Sequence, residues 1–193
     1  MKQYFLVFLI ISIVGCQNRK QKTNFKENRL NSFIAIDSNS HTKLNKRVLF
    51  KKTKALEKAD LILNDSIYVW DYWEPVYSPN KIDWDMNPYN NESWRLYFQS
   101  LRMVGILSRA YEYEKKEEYI DRALKIVYSW NDYQIKKQDS IDGDDEKKKY
   151  KNEFWSDHMV ANRSLNLTHL FLVAKDVVNQ QQTTTILSII EKH

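Results

Sequence analysis

From Glu92 to Tyr113, apolar side chains recur every three or four positions: Trp94, Tyr97, Phe98, Leu101, Val104, Leu107 and Tyr111. That spacing lays a buried stripe along one helix, while Arg95, Arg102 and Arg109 fall mostly off it. Asn91 or Ser93 can cap its start. Glu118 to Trp130 repeats the pattern with Ile120, Ala123, Leu124 and Val127. The joint between them, Glu114 to Glu117, is short and charged, which predicts an antiparallel αα-hairpin. Phe154 to Asn179 reads as a third strong helix and Thr183 to His193 as the opening of a fourth. Asn45 to Leu63 is a further helix candidate, with Val48, Leu49, Leu56 and Ala59 at helical spacing and Asn45 as a possible cap.

Two stretches break the helical period. Asp65 to Asn91 holds all three prolines (Pro75, Pro79, Pro88) together with Trp70, Tyr72, Trp73, Tyr77, Trp84 and Tyr89. An irregular segment of that length is uncommon inside a domain unless it is a functional loop. Proline stiffens it, and the aromatics give it purchase on a surface. Asp132 to Lys151 is densely charged and reads as an exposed loop. Its Asp142–Glu146 run lacks the full ligand spacing of an EF-hand, so a solvated charge run is expected there rather than calcium.

Composition sharpens this picture. Only three Gly and three Pro occur in 193 residues, against six Trp and 12 Tyr. So few breakers argue for long helices and against a many-turned β protein. The net charge of +5 is uneven: Gln17 to Lys58 carries 12 Lys/Arg against 3 Asp/Glu, and Ala59 to His193 carries 17 against 22. The basic part reads as a solvated linker near a membrane, where Lys and Arg favour anionic surfaces. No basic stripe interleaved with aromatics appears in the body, so a nucleic-acid partner is not expected.

The single cysteine, Cys16, follows Lys2, an apolar run from Tyr4 to Val14 and the small Gly15. A cationic start, a short apolar run and a small residue describe a secretory signal. The run is about half the ~20 residues needed to span a bilayer. Ile13-Val14-Gly15-Cys16 resembles the lipobox of bacterial lipoproteins. That resemblance implies cleavage before Cys16, lipidation of its sulfur and acylation of its new amino terminus; the other reading is an ordinary cleaved signal. The expected organisation is a signal peptide over 1–15, a basic tether over 16–44 and a helical domain over 45–193. The expected location is the bacterial cell envelope, periplasm or outer membrane. Gln17-Asn18 lacks the Asp that often marks inner-membrane retention, which leans outward. With one cysteine, no disulfide framework forms.

The chemistry-bearing residues concentrate near residue 160. On a continuous helix, Trp155, His158 and Asn162 share a face that Asn166 and His169 extend, with Arg163 close by. Indole covers the apolar face of a sugar, amides bond hydroxyls, and Arg forks onto a carboxylate or sulfate. The same residues also read as a Trp anchoring the helix start, a His bonded between layers and an exposed Arg. Trp84 reads equally as a pin between loop and hairpin, and Trp94 as core. No Gly-x-Ser-x-Gly elbow is present. The four His lack a close ligand cluster, with His158 and His169 about 16 Å apart along a helix, so no metal is expected. A tetratricopeptide-like scaffold would need a 34-residue self-similarity that the chain does not show.

Taken in order, the words Ile82-Asp83-Trp84, Trp94-Arg95, Ala110-Tyr111, Tyr119, Ser129-Trp130, Phe154-Trp155-Ser156-Asp157-His158 and Asn162-Arg163 resemble the amino-terminal helical domain of the heparinase II/III-like polysaccharide lyases, over roughly residues 46–193. The resemblance implies an all-α fold, an incomplete (α/α) toroid of antiparallel helix pairs with a long aromatic loop. It implies an acidic, uronate-containing partner, a glycosaminoglycan or alginate-like chain, cut by β-elimination without a cofactor. It also implies that the family's catalytic Asn and Tyr lie on later helices. No Asn-His pair follows Arg163, and Asp157 rather than Asn precedes His158. The helical pattern runs to His193 without a capping signal, so the natural polypeptide is expected to continue, and no catalytic residue is expected here. The expected substrate contacts are Trp155, His158, Arg163, Trp84, Trp94 and Asn162. The alternative is a non-catalytic glycan-binding lipoprotein of a glycan-uptake system.

Overall fold

The computed structural model describes residues 51–79 and 81–193. Among these the order is α1 (Lys52–Leu63), β1 (Ser66–Ile67), β2 (Val76–Tyr77), α2 (Glu92–Gln99), α3 (Arg102–Glu114), α4 (Glu117–Asp139), α5 (Asp144–Phe154), α6 (Asp157–Ala174) and α7 (Gln180–Ile190). The fold is all-α, as the periodicity predicts, with one two-residue antiparallel ribbon pairing Ser66 with Tyr77 and Ile67 with Val76. The proposed signal, Cys16, the tether and the Asn45 cap lie outside the described residues.

Helix α3 is the centre of the core. Met103, Val104, Gly105, Ile106, Leu107, Ser108, Ala110 and Tyr111 are all buried, and α1, α4 and α6 pack around it. A helix buried on so many sides needs a neighbour on each. The α3–α4 hairpin turns through Lys115, whose left-handed φ of 59° ends α3 and whose amide bonds the Tyr111 carbonyl at 2.8 Å. Helix α4 opens with Glu117 and Glu118 and closes with Lys136 and Lys137, charges that oppose the helix dipole at each end. Helix α7 starts at a capping box formed by Asn179 and Gln182.

Three expected boundaries are corrected. The stretch 92–113 is two helices, broken at Ser100–Leu101, where Leu101 takes a left-handed φ of 55°. Neither residue is a helix breaker, so propensity could not show it; side chains from α6 stabilise the break from outside. The charged stretch 132–151 is mostly helical. Helix α4 runs on to Asp139, and α5 begins at Asp144 with Asp144, Asp145 and Glu146 in its first turn and Lys151 in its last. Lys, Glu and Gln are good helix formers, and acids at the start with a base at the end suit the dipole. The third helix starts at Asp157 rather than Phe154: Trp155 caps the end of α5 and Ser156 precedes α6.

Candidate functional site

The break between α2 and α3 frees backbone carbonyls in the interior, and α6 meets them. Arg163 Nη1 donates to the Gln99 carbonyl at 2.9 Å and Asn166 Nδ2 to the Ser100 carbonyl at 2.8 Å. Arg163 Nη2 reaches the Phe154 carbonyl at 3.0 Å, across the α5–α6 joint. Arg163 Nε donates to Nε2 of His193, whose Nδ1–H faces the Ile189 carbonyl at 2.8 Å. The guanidinium also lies 4.4 Å from the Trp130 ring centre and 5.0 Å from that of Trp155. One cation thus ties together the α2–α3 break, the α5–α6 joint and the end of α7.

Close approach makes this possible. Asn166 Oδ1 lies where a Cβ on Gly105 would sit, at 2.3 Å. The missing side chain at Gly105 is what lets α6 bring its amide against α3. Gln99 continues the buried polar network. Its Nε2 donates to the Trp84 carbonyl at 2.6 Å, and its Oε1 accepts from Trp130 Nε1 at 3.1 Å.

Electrostatics follow from burial. Arg163 is fully buried, and loss of water pushes its guanidinium down to about 9, partly offset by the Tyr150 phenol. It stays charged at neutral pH. Burial, then the nearby Arg163 charge, pushes His193 down to about 4. A neutral His193 is what the geometry needs, since its Nε2 accepts while Nδ1 carries the proton. A second polar cluster joins α3 to α6. Glu112 Oε2 sits 2.7 Å from Arg109 Nη1 and 3.2 Å from His169 Nε2. Burial opposes ionisation of Glu112, but His169 and Arg109 outweigh it and hold the carboxyl at about 2.

The six expected contact residues therefore part company. Trp84 and Trp94 are buried, both packed on Phe98, with Trp84 Nε1 bonded to Ser129 Oγ at 3.1 Å. Arg163 is sealed behind Trp130 and Trp155, its donors turned to internal acceptors. These three are buried and hold the fold; the sugar-contact reading is corrected for them. Trp155 is partly exposed, His158 is exposed, and Asn162, also partly exposed, turns its Nδ2 back onto the His158 carbonyl at 2.8 Å. Trp155 and Arg163 do come together, although Trp155 stands on the joint and not on α6. His193 and Gln99 carry the network and were not singled out from sequence. The signal available was slight: a polar residue within an apolar stripe, at Gln99.

A different surface holds the exposed aromatics. Trp70 stacks on Tyr97 with ring centres 5.0 Å apart, and Trp73 lies 6.4 Å from both Tyr97 and Tyr89. Tyr72 meets Trp73 edge-on at 5.2 Å. Tyr89 Oη donates to the Glu74 carbonyl at 2.8 Å, and the Arg102 guanidinium lies 3.8 Å over Trp70. The loop is pinned at its base. Arg122 bonds Asp65 Oδ1 at 2.8 Å and the Ile62 carbonyl at 3.2 Å, and the Ser78 amide bonds the Asp65 carbonyl. Tyr72 is nevertheless 81% exposed and Trp70 38%. Among the described residues, no group of three or more His, Cys, Asp or Glu could hold a metal ion, and no helix is long and apolar enough to cross a membrane.

No family model and no curated protein matches the chain. A solved structure described as a heparinase III gene product with methylated lysines matches with a TM-score of 0.59 and 16% identity. The chain is similar in fold to heparinase III. The match covers 94% of this chain and 30% of that one, so the chain spans less than a third of the length it resembles. At that identity the likeness concerns the fold: helices paired as in the helical toroid of heparinase III.

Proposed function

We infer that this chain is the helical, glycan-binding part of an exported heparinase II/III-like polysaccharide lyase acting on acidic, uronate-containing chains. The observation that carries the reading is the fold, which follows heparinase III over 94% of this chain. The ordered words from Ile82 to Arg163 add support from sequence. β-Elimination needs a base to take the C5 proton of a uronate, a donor for the leaving glycosidic oxygen, and neutralisation of the carboxylate that acidifies C5. Arg163 is not that neutraliser, because all three of its nitrogens face internal acceptors. We assign the chemical steps to parts of the lyase that this chain does not span. To the chain itself we assign a wall of the substrate cleft, with Trp155, His158 and Asn162 as its contacts. Export and anchoring through Cys16 belong to the same proposal.

The test is to express the complete open reading frame and follow the ultraviolet absorbance of unsaturated uronate on glycosaminoglycan, alginate and ulvan-like polymers. A rise on at least one is expected; none on any overturns the lyase reading. A second reading, a non-catalytic glycan-binding lipoprotein, is favoured by one observation, the exposed aromatic surface. It is selected if the full-length product binds a neutral glucan as well as these acidic polymers and cuts none of them.

A further inference from the structure

We propose that the surface formed by Trp70, Tyr72, Trp73, Tyr89 and Tyr97 is a second glycan site, one that takes neutral pyranose chains. It is separate from the α6 contacts and does not rest on the lyase reading.

Five aromatic rings, four on the loop and Tyr97 on α2, lie together within contact distances of 5.0 to 6.4 Å, with Tyr72 81% and Trp70 38% exposed. A contiguous aromatic patch left in water marks an interaction surface. The rings are held and not merely loose. The Arg122–Asp65 pair, the Tyr89–Glu74 bond and the Arg102 guanidinium over Trp70 fix the loop before any ligand arrives. A surface ordered in advance pays little entropy on binding.

The chemistry selects the occupant. Flat rings match the C–H face of a pyranose, and phenol hydroxyls at their edges match its hydroxyls. The cations at the patch are already engaged. Lys54 and Lys58 both reach the Asp71 carboxylate, at 3.5 and 3.4 Å, and Arg102 lies over Trp70 and Tyr97. The exposed Glu74 and half-exposed Asp71 stand at the edge as acceptors. A polyanion would meet carboxylates there and would have to displace existing pairs. A neutral sugar gains ring faces and acceptors for its hydroxyls.

The experiment is isothermal calorimetry on the full chain with cello-, manno- and xylohexaose, and with a heparin hexasaccharide as the acidic comparator. At least one neutral hexaose should bind, with an affinity that rising salt leaves unchanged. Tyr72→Ala should weaken that binding about tenfold with no change in thermal midpoint, because so exposed a ring contributes little to the core. Trp70→Ala should abolish it, and Trp155→Ala should leave it intact. The proposal is overturned if no neutral hexaose binds. It is also overturned if the heparin fragment binds instead, salt-sensitively and through Tyr72, or if Tyr72→Ala dissolves a dimer seen by sedimentation. Loss of uronate elimination on Trp155→Ala in the full-length lyase reads the other site, so the two proposals fail separately.

Discussion

Arg163 shows how burial changes the meaning of a residue. As a cleft residue, its replacement by Ala would weaken binding of acidic glycans and spare stability. As a buried cation bonded to the Gln99 and Phe154 carbonyls and to His193, its loss strands those acceptors. Each stranded buried group costs ~1–3 kcal/mol. Arg163→Ala should therefore lower unfolding free energy by on the order of 3 kcal/mol, read by denaturant titration. Arg163→Lys should rescue little, because an ammonium cannot reproduce the fork that reaches two carbonyls and lie between two indoles. His193 follows by linkage. Its pKa falls from 6.5 in the unfolded chain to about 4 in the folded one. Between these values the unfolded chain binds more protons, so stability is complete above about 6.5 and declines as pH falls toward 4. Glu112 adds a second, lower window. Its folded value of about 2 lies below the ordinary 4.5, so its contribution is complete above 4.5 and is lost as pH falls through 2. Thermal midpoints measured from pH 7 to 3 should fall in both windows, and His193→Gln should flatten the upper one.

At the scale of elements, the α3–α6 contact and the α3–α4 turn make the sharpest predictions. A Cβ at Gly105 would sit 2.3 Å from Asn166 Oδ1, and that amide cannot retreat without giving up the Ser100 carbonyl. Gly105→Ala should cost ~1–3 kcal/mol despite its better helix propensity. In an Asn166→Ala background the same change should cost much less, a coupling that a double-mutant cycle measures. Lys115 is exposed and left-handed at the end of α3. Lys115→Gly should stabilise by ~1 kcal/mol, offset in part by loss of the Lys115 contact with the Tyr111 ring at 5.0 Å. The helices themselves were legible because apolar spacing at 3.6 residues is local. The break at Ser100–Leu101 was not, because its cause is a guanidinium and an amide arriving from residues 163 and 166. The extension of α4 and the existence of α5 were masked by charge. A helix of polar residues reads as loop unless propensity and end charges are weighed above hydrophobic contrast.

For the whole molecule, the proposed anchor gives the simplest check. If Cys16 is the lipidated residue, the protein should partition with membranes and take up labelled palmitate, and Cys16→Ser should abolish both. A soluble, unlabelled product from the unaltered gene counts against the anchor without touching the fold. Of the candidate site, Trp155, His158 and Asn162 reach the surface, while Trp84, Trp94 and Arg163 do not. Sequence order could place all six near one another along the paired helices, but it carried no information on which way each side chain faces. The aromatic loop was visible as a proline-bearing, aromatic-rich interruption; that Trp70 and Tyr72 stay in water while Trp84 turns inward was not.

What the chain determined by itself is the all-α class, the α3–α4 hairpin, and a stiff aromatic loop before the core. These depend on residues near one another in sequence, whose spacing decides which face turns inward. What only the tertiary structure decided is which polar groups became structural. Arg163, Gln99, Asn166 and His193 each take at least one partner from a segment about 30 to 66 residues away. A buried cation must find its acceptors wherever the fold brings them, and no local pattern records that meeting.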